Sequence, residues 1–272
     1  MDYKRVTAQK RLGQNFLRDP AVIRRIVMAL ELSAADVVLE IGCGTGALTQ
    51  HILAAKPGWF IGVELDRGLC EALSNRYSSA SVSFSFLNKD ILQVEIQEHI
   101  GDFEATGAKI KVVGNLPYYI SSPIIDWLGR QSRLIEFATI MLQAEVADRV
   151  MASPGSKDFG VLTLLVNYYF SVTKLMDVRP GSFRPAPKVS STVLLLRPKG
   201  TLALDSSEEA AFFQFVKRSF SQRRKTLWNC LKGDVVRADL EALLNRLGHP
   251  AEIRAEALAL DDFICLYKEL KR

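Results

Sequence analysis

The 272-residue sequence predicts an α/β domain with a mixed, mostly parallel sheet, followed by a small all-α domain. Three observations predict it. Up to about Pro198, short β-rich runs alternate with helix-patterned stretches, as a parallel sheet with crossover helices requires. A glycine-rich turn joins one of those runs directly to a helix. From Ser206 onward no β-rich run survives, and apolar residues recur at helical spacing: Phe212, Phe215, Val216 and Phe220 on one face, Leu240, Leu243, Leu244 and Leu247 on another. The boundary is expected at Lys199-Gly200, giving domains of 1–199 and 200–272, the first opening with a basic segment over 1–18.

The elements follow in order. Asp19-Pro20 supplies an N-cap and a proline at the first helical position, opening a helix to about Leu30. Val37–Ile41 is an apolar strand that feeds the glycine turn and a helix ending near Ala55. Trp59–Leu65 is a second strand and Asp66–Tyr77 a helix. Val82–Leu87 and Lys109–Gly114 are further strands, with an extended loop expected at 101–107 before Lys109. A helix follows Ser121-Ser122-Pro123, Phe137–Leu142 makes a fifth strand, and helices cover Ala144–Met151 and Phe159–Phe170. Val172–Val178 and Thr192–Leu196 flank a proline-rich loop, as an antiparallel hairpin does.

With 48% hydrophobic and 24% charged residues the chain has an ordinary globular composition, and its length suffices for a core without disulfides or metal. Cys43, Cys70, Cys230 and Cys265 form no CxxC pair. Together with the absence of a secretion signal, this points to a reducing, cytoplasmic setting. The longest apolar run, around Val161–Phe170, is interrupted by Thr163 and Asn167 and is too short for a membrane span. The formal net charge is +5. Basic residues gather in 1–25 and again at Lys217, Arg218, Arg223, Arg224 and Lys225. Such clusters suit a polyanionic partner, and charge alone fits a pair of solvated helix faces equally well.

The strongest local signal is Leu39-Glu40-Ile41-Gly42-Cys43-Gly44-Thr45-Gly46, a strand running through a glycine turn into a helix. Glycines let the backbone approach a ligand where a Cβ would clash. Glu64 ends the next strand, where a carboxylate can accept hydrogen bonds from both hydroxyls of a ribose. A dinucleotide turn would read G-x-G-x-x-G and a P-loop would carry Gly-Lys-Ser/Thr; neither is present. The acid before the first glycine, Glu40, favours a cationic ligand, and S-adenosylmethionine carries both a sulfonium and an ammonium. Asp90, after the third strand, is placed to accept the amino hydrogens of an adenine.

Asn115-Leu116-Pro117-Tyr118 ends the following strand. An adenine amino group is a poor nucleophile, because its lone pair is delocalised into the ring. Two acceptors on its hydrogens, the Asn115 side-chain oxygen and the Leu116 carbonyl, would draw the nitrogen towards tetrahedral geometry. Pro117 stiffens that carbonyl, and Tyr118 offers a flat face to an extruded base. No strong general base is needed, and none of His51, His99 and His249 is assigned to catalysis. No metal site is expected.

Read together, these segments resemble the ribosomal RNA adenine dimethyltransferase family. The match opens at Lys10-Arg11-Leu12-Gly13-Gln14-Asn15-Phe16-Leu17 and runs through Glu40–Thr49, Val63–Asp66, Asp90 and Asn115–Tyr118. It closes with Phe183-Arg184-Pro185-Ala186-Pro187-Lys188-Val189, with Arg218-Ser219-Phe220 leading to Arg223-Arg224-Lys225-Thr226-Leu227, and with Arg254-Ala255-Glu256. The resemblance implies a class I S-adenosylmethionine-dependent methyltransferase fold, Rossmann-like, with a helical C-terminal rRNA-binding domain.

It also implies roles. Gln14, Asn15 and Leu17 would line the cofactor pocket, and Gly42, with Gly44, would approach the methionine part. Glu64 would hold the ribose, Asp90 the adenine, and Asn115 would stand between cofactor and target. Phe183 would face Tyr118 across the target base, held by the Pro185-x-Pro187-Lys188 loop. Arg218, Arg223, Arg224, Lys225 and Lys188 would bind RNA phosphates, from a helix for the first four. Phe220 and Trp228 beside them are read as core. The implied reaction is dimethylation of N6 on two adjacent adenosines in the 3′-terminal hairpin of small-subunit rRNA. It would yield S-adenosylhomocysteine and serve subunit maturation, with the small ribosomal subunit as partner and the enzyme a monomer. Cys43, where many relatives have proline, is a small departure. A large-subunit rRNA adenine methylase and a non-catalytic assembly factor on the same fold are the alternatives; a DNA methylase would need a target-recognition domain that the sequence lacks.

Overall fold

The computed structural model of the protein describes residues 14–100 and 109–271. The basic residues before Gln14, the Lys10–Gly13 part of the opening motif and the loop expected at 101–107 lie outside them. Two compact units emerge, one running to Ala147 and including Ser171–Pro198, the other Asp148–Phe170 with the chain from Lys199 onward.

In the first unit, β1 (Phe16–Leu17) leads into α1 (Pro20–Met28). The Asp19 carboxylate caps that helix by accepting from Ala21 N at 2.9 Å and Val22 N at 3.4 Å, and Pro20 occupies the position where a missing amide costs nothing. Next come β2 (Val37–Ile41), α2 (Thr49–Ala54), β3 (Trp59–Val63), α3 (Arg67–Tyr77), β4 (Ser83–Leu87), α4 (Gln97–Ile100), β5 (Ile110–Asn115), α5 (Ser121–Arg130), β6 (Ile135–Gln143) and α6 (Ala144–Val150), whose last residues from Asp148 belong to the second unit. Asp66, predicted to open a helix, caps α3 through Gly68 N at 3.0 Å and Leu69 N at 3.2 Å.

The main sheet has the order β4-β3-β2-β5-β6-β9-β7, where β7 is Phe170–Val178 and β9 is Ser191–Pro198. From β4 to β6 all pairs are parallel. β9 runs antiparallel to β6, from Ala138↔Leu196 to Gln143↔Ser191. β7 lies beyond β9 at the edge. Ser171 Oγ donates to Arg197 O at one end of that pair and Thr192 Oγ1 to Asp177 Oδ1 at the other, so the two strands run in opposite directions, as the hairpin reading expects. The five residues of β2 are all buried, because helices cover both faces of a parallel sheet.

Strand order reverses between β2 and β5: the chain builds outward from β2 through β3 to β4, then returns to β5 on the other side. The crevice at the carboxyl ends of these two strands is where open α/β sheets take their ligands. β8 (Phe183–Arg184) pairs antiparallel with β1, placing Leu17 opposite Phe183 and Phe16 opposite Arg184.

The second unit contains α7 (Val161–Tyr169), α8 (Ser206–Ser219), α9 (Leu227–Leu231), α10 (Arg237–Arg246) and α11 (Leu260–Leu270). Sequence periodicity had put α7 before the boundary. Its Tyr168 and Tyr169 pack instead on Phe213, with ring centroids 5.4 and 5.8 Å away, and Tyr168 on Phe212 at 5.6 Å. Helical spacing fixes which face of α7 is buried but not which distant segment covers it. The basic cluster is also placed differently: α8 ends at Ser219 and α9 begins at Leu227, so Arg223, Arg224 and Lys225 sit on the connection, not on a helix. Phe220 stacks on Phe263 at 5.8 Å, in keeping with its reading as core.

Candidate active site

Four strand ends and the segment before α1 converge on one cleft of about 780 Å³, counting its open mouth. Gln14, Asn15 and Phe16 line one side. Ile41, Gly42 and Gly44 lie at or just past the end of β2, Val63, Glu64 and Leu65 at that of β3, Lys89, Asp90 and Ile91 past that of β4, and Asn115 through Ile120 at and past that of β5, with Ile124 from α5.

The glycine turn is held open by its backbone. Gly42, Gly44 and Gly46 have φ of 71°, 55° and 81°, a region that L-residues rarely occupy. A Cβ on Gly44 would come within 3.1 Å of the Phe16 ring, and one on Gly46 within 2.8 Å of Leu73, a buried side chain of α3. The first glycines therefore leave the floor of the cleft to backbone, and the third lets α3 pack beneath it.

Glu64 is buried and clasps the turn: Gly44 N donates to Oε2 at 2.8 Å and Asp66 N to Oε1 at 2.9 Å. Burial pushes its carboxyl up from the usual range, and the two amide donors oppose that shift. Asn88 ties the neighbouring loop to the same place, its Nδ2 donating to Glu64 O at 2.9 Å and Leu65 O at 3.0 Å. Asp90 Oδ1 accepts from Leu92 N at 3.0 Å, which fixes the carboxylate at the cleft wall.

Glu40 is not in the cleft. It lies buried beneath the turn and accepts from the Thr49 hydroxyl at 2.6 Å. Burial raises its carboxyl from 4.5 to about 8, with the Thr49 bond opposing and the Glu64 charge adding to the shift. The acid that precedes the first glycine, expected to favour a cationic ligand, therefore braces β2 against α2 as a largely neutral group and lends the cleft little charge.

At the far end, Asn115 Nδ2 donates to Asn15 O at 3.0 Å. The adjoining backbone is fixed as well: Leu116 N donates to Met141 O at 3.1 Å, and Pro117 O accepts from Ser121 Oγ at 3.0 Å. Tyr118 shares a 3.0 Å hydrogen bond with Ser191 Oγ; burial raises its phenol and that bond opposes the rise.

Of the residues expected in the site, Gln14, Asn15, Gly42, Gly44, Glu64, Asp90, Asn115, Leu116, Pro117 and Tyr118 meet in this cleft. Leu17 and Phe183 do not line it. They face each other across the β1–β8 ladder and are buried in the core. Neighbouring strand residues point to opposite faces, so Phe16 turns to the cleft where Leu17 was expected. Phe16, Lys89 and Tyr119 are lining residues that sequence reasoning passed over. The alternation around β1 marks the first, and mere adjacency to assigned residues marks the others.

Among the cations, Lys188 is exposed on the loop before β9. Arg218 pairs with Asp234 at 3.1 Å, and Arg223 donates to Lys157 O at 2.5 Å and lies 3.8 Å from Glu256. Arg224 and Lys225 are exposed and form no ion pair among the described residues.

The lining fits a nucleoside with a cationic arm better than a diphosphate. Among the described residues it offers two carboxylates, Glu64 and Asp90, against a single lysine, Lys89. A pyrophosphate would face net negative charge there.

Comparison with known proteins agrees. Residues 5–272 match the family described as ribosomal RNA adenine dimethylase. The "Ribosomal RNA small subunit methyltransferase A" of Geobacter sulfurreducens is 41% identical over 268 residues, covering 97% of this chain and 96% of that protein. The protein of the same description from Koribacter versatilis is 42% identical over 270 residues, covering 96% and 94%. Among solved structures, a dimethyladenosine transferase from Plasmodium falciparum superposes with a TM-score of 0.77 at 28% identity, covering 93% of this chain and 96% of the other. The 23S rRNA methyltransferase ErmE gives 0.69 at 26%, covering 95% and 100%. The fold is that of the class I methyltransferases with an added helical unit, and the chain belongs to the ribosomal RNA adenine dimethylase family.

Proposed function

We propose that the protein transfers methyl groups from S-adenosylmethionine to N6 of two adjacent adenosines in the 3′-terminal hairpin of small-subunit rRNA, in the cytoplasm and as a monomer. The observation that carries this reading is the convergence of Gly42, Glu64, Asp90 and Asn115, one from each of four successive strand ends, on a single cleft. The curated relatives named for the small subunit support the choice of substrate.

Gly42 and Gly44 give the backbone room beside the methionine part, Glu64 accepts from the ribose, and Asp90 accepts from the adenine amine. Bound there, S-adenosylmethionine supplies an electrophilic methyl and leaves as S-adenosylhomocysteine. The chain's own part is to aim the nucleophile. Asn115 already spends its Nδ2 on Asn15 O, so its Oδ1 is the atom left to accept a hydrogen from the target amine. The Leu116 carbonyl accepts the other, in a peptide that its own amide and the following Pro117 hold still. Tyr118, tethered through its hydroxyl, keeps a ring face for the base. Among the described residues no histidine lines the cleft. None is required, because the methylated amine is acidic enough to lose its proton to water. Arg224 and Lys225, with Lys188, supply cations for RNA phosphates.

The test is incubation of the full chain with radiolabelled S-adenosylmethionine and unmethylated small subunits, with large subunits and naked rRNA as parallel substrates. The modified base is then mapped. Label in dimethyladenosine of small-subunit rRNA supports the reading; label confined to large subunits replaces it with the large-subunit alternative.

A further inference from the structure

Two consecutive tyrosines at the mouth of the cleft are held in different ways. Tyr118 is half-buried with its hydroxyl bonded to Ser191, whereas Tyr119 is 55% exposed while still lining the same cleft. No aromatic ring or cation packs on the Tyr119 ring among the described residues. The turn that carries it is not loose. It is one 3₁₀ turn, Tyr118–Ile120, in which Ile120 N donates to Pro117 O at 3.2 Å and Ser121 Oγ donates to Pro117 O at 3.0 Å and Tyr118 O at 3.2 Å. An aromatic ring on a braced backbone, half in water, leaves a face open to a flat partner.

Geometry separates its partner from that of Tyr118. Successive residues of a 3₁₀ turn point about 120° apart, at three residues per turn, while their Cα atoms lie only about 3.8 Å apart. The two rings cannot clasp one base between them. They can receive two bases that are neighbours in one strand, one inside the cleft and one at its lip.

The geometry points to Tyr119 as a stacking platform for the unpaired nucleotide next to the target adenosine. This rests on the RNA-methylating function proposed above and adds to it a second base contact outside the reacting centre. Such a contact holds the strand while one base is turned inward. It is tolerant of base identity, because every base has a π face.

The test measures KM for unmethylated small subunits and affinity for S-adenosylmethionine in Tyr119→Ala and Tyr119→Phe, with the wild-type chain alongside. One stacked base is worth about 1–3 kcal/mol, so Tyr119→Ala is expected to raise KM roughly 5- to 150-fold without altering cofactor affinity. Tyr119→Phe, which keeps the face, stays at the wild-type KM. As a direct readout, 2-aminopurine placed beside the target adenosine in a short RNA is quenched by the wild type and by Tyr119→Phe but not by Tyr119→Ala. An unchanged KM in Tyr119→Ala, or a loss in Tyr119→Phe as large as that in Tyr119→Ala, overturns the stacking role and leaves the methyltransferase reading standing. A wild-type chain that transfers no label to RNA overturns both.

Discussion

Asn115, at the end of β5, and Asn15, 100 positions earlier in the chain, are joined by a 3.0 Å hydrogen bond from the Asn115 side-chain amide to the Asn15 carbonyl. The bond does two things at once. It anchors the segment that closes one side of the cleft, and it settles which end of the Asn115 amide is available as an acceptor. Asn115→Asp keeps an oxygen for the target amine but loses the donor to Asn15. That variant should retain a fraction of the turnover while binding S-adenosylmethionine more weakly, read by single-turnover transfer alongside calorimetry. Cofactor affinity equal to the wild type would detach the Asn15 segment from the cofactor site.

Glu64 accepts two backbone amides and is proposed to accept from the ribose as well. Glu64→Gln has the same shape but one acceptor fewer and no charge. Losing a charged hydrogen bond of about 1.5–3 kcal/mol should weaken S-adenosylmethionine binding by roughly 10- to 150-fold. The wild type should also bind less well as acid protonates Glu64, at a pH above the ordinary carboxylate range because burial raises this group. Titration calorimetry across pH checks both. An acid limb that persists in Glu64→Gln would assign it to another group.

Glu40 gives a stability prediction with a definite sign. Its carboxyl rises from 4.5 to about 8 in the fold, so between those values the folded state binds more protons than the unfolded one. Its contribution is complete below about 4.5 and is lost as pH climbs through about 8. Urea midpoints of the wild type should therefore fall between pH 5 and pH 8 more steeply than those of Glu40→Gln, whose amide oxygen still accepts from Thr49. Parallel curves for the two proteins would show that Glu40 titrates normally.

Among the basic residues the structure sets an order. Arg218 and Arg223 have protein partners at 3.1 Å and 2.5 Å, whereas Arg224 and Lys225 are exposed and unpaired among the described residues. Each cation that neutralises a phosphate of a single strand adds about 0.7 to the slope of log affinity against log salt. Arg224→Gln and Lys225→Gln should each flatten the slope of subunit binding by about that amount, and Arg218→Gln should flatten it less. Equal effects at all three positions would mean that the ion pairs open on binding.

The sheet and its ligand-binding crevice were legible in the sequence because they rest on local signals. The apolar Val37–Ile41 run, the glycine turn and the caps at Asp19 and Asp66 each act within a few residues of themselves. So did the succession Gly42, Glu64, Asp90, Asn115, since parallel strands deliver their carboxyl ends to one edge. What could not be read depended on partners far away in the chain. Leu17 and Phe183 face each other in a two-residue ladder too short to leave a pattern, so Phe16 took the cleft position. Glu40 is neutral beneath the turn because of burial, which a motif does not display. Tyr168 and Tyr169 meet Phe213 more than 40 positions away, and that contact places α7 with the helical unit. The run of cations after Ser219 looked helical in composition, but α8 has already ended there.

The central claim is that the Asn115 amide aims the target amine and is not needed merely to fill the cleft. The direct measurement is single-turnover methyl transfer by Asn115→Ala to unmethylated small subunits, at saturating S-adenosylmethionine. Misplacing a reacting group by about 1 Å can cost on the order of 100-fold, so transfer should fall at least that far while the cofactor, once saturating, is fully bound. Turnover at the wild-type rate would contradict the account.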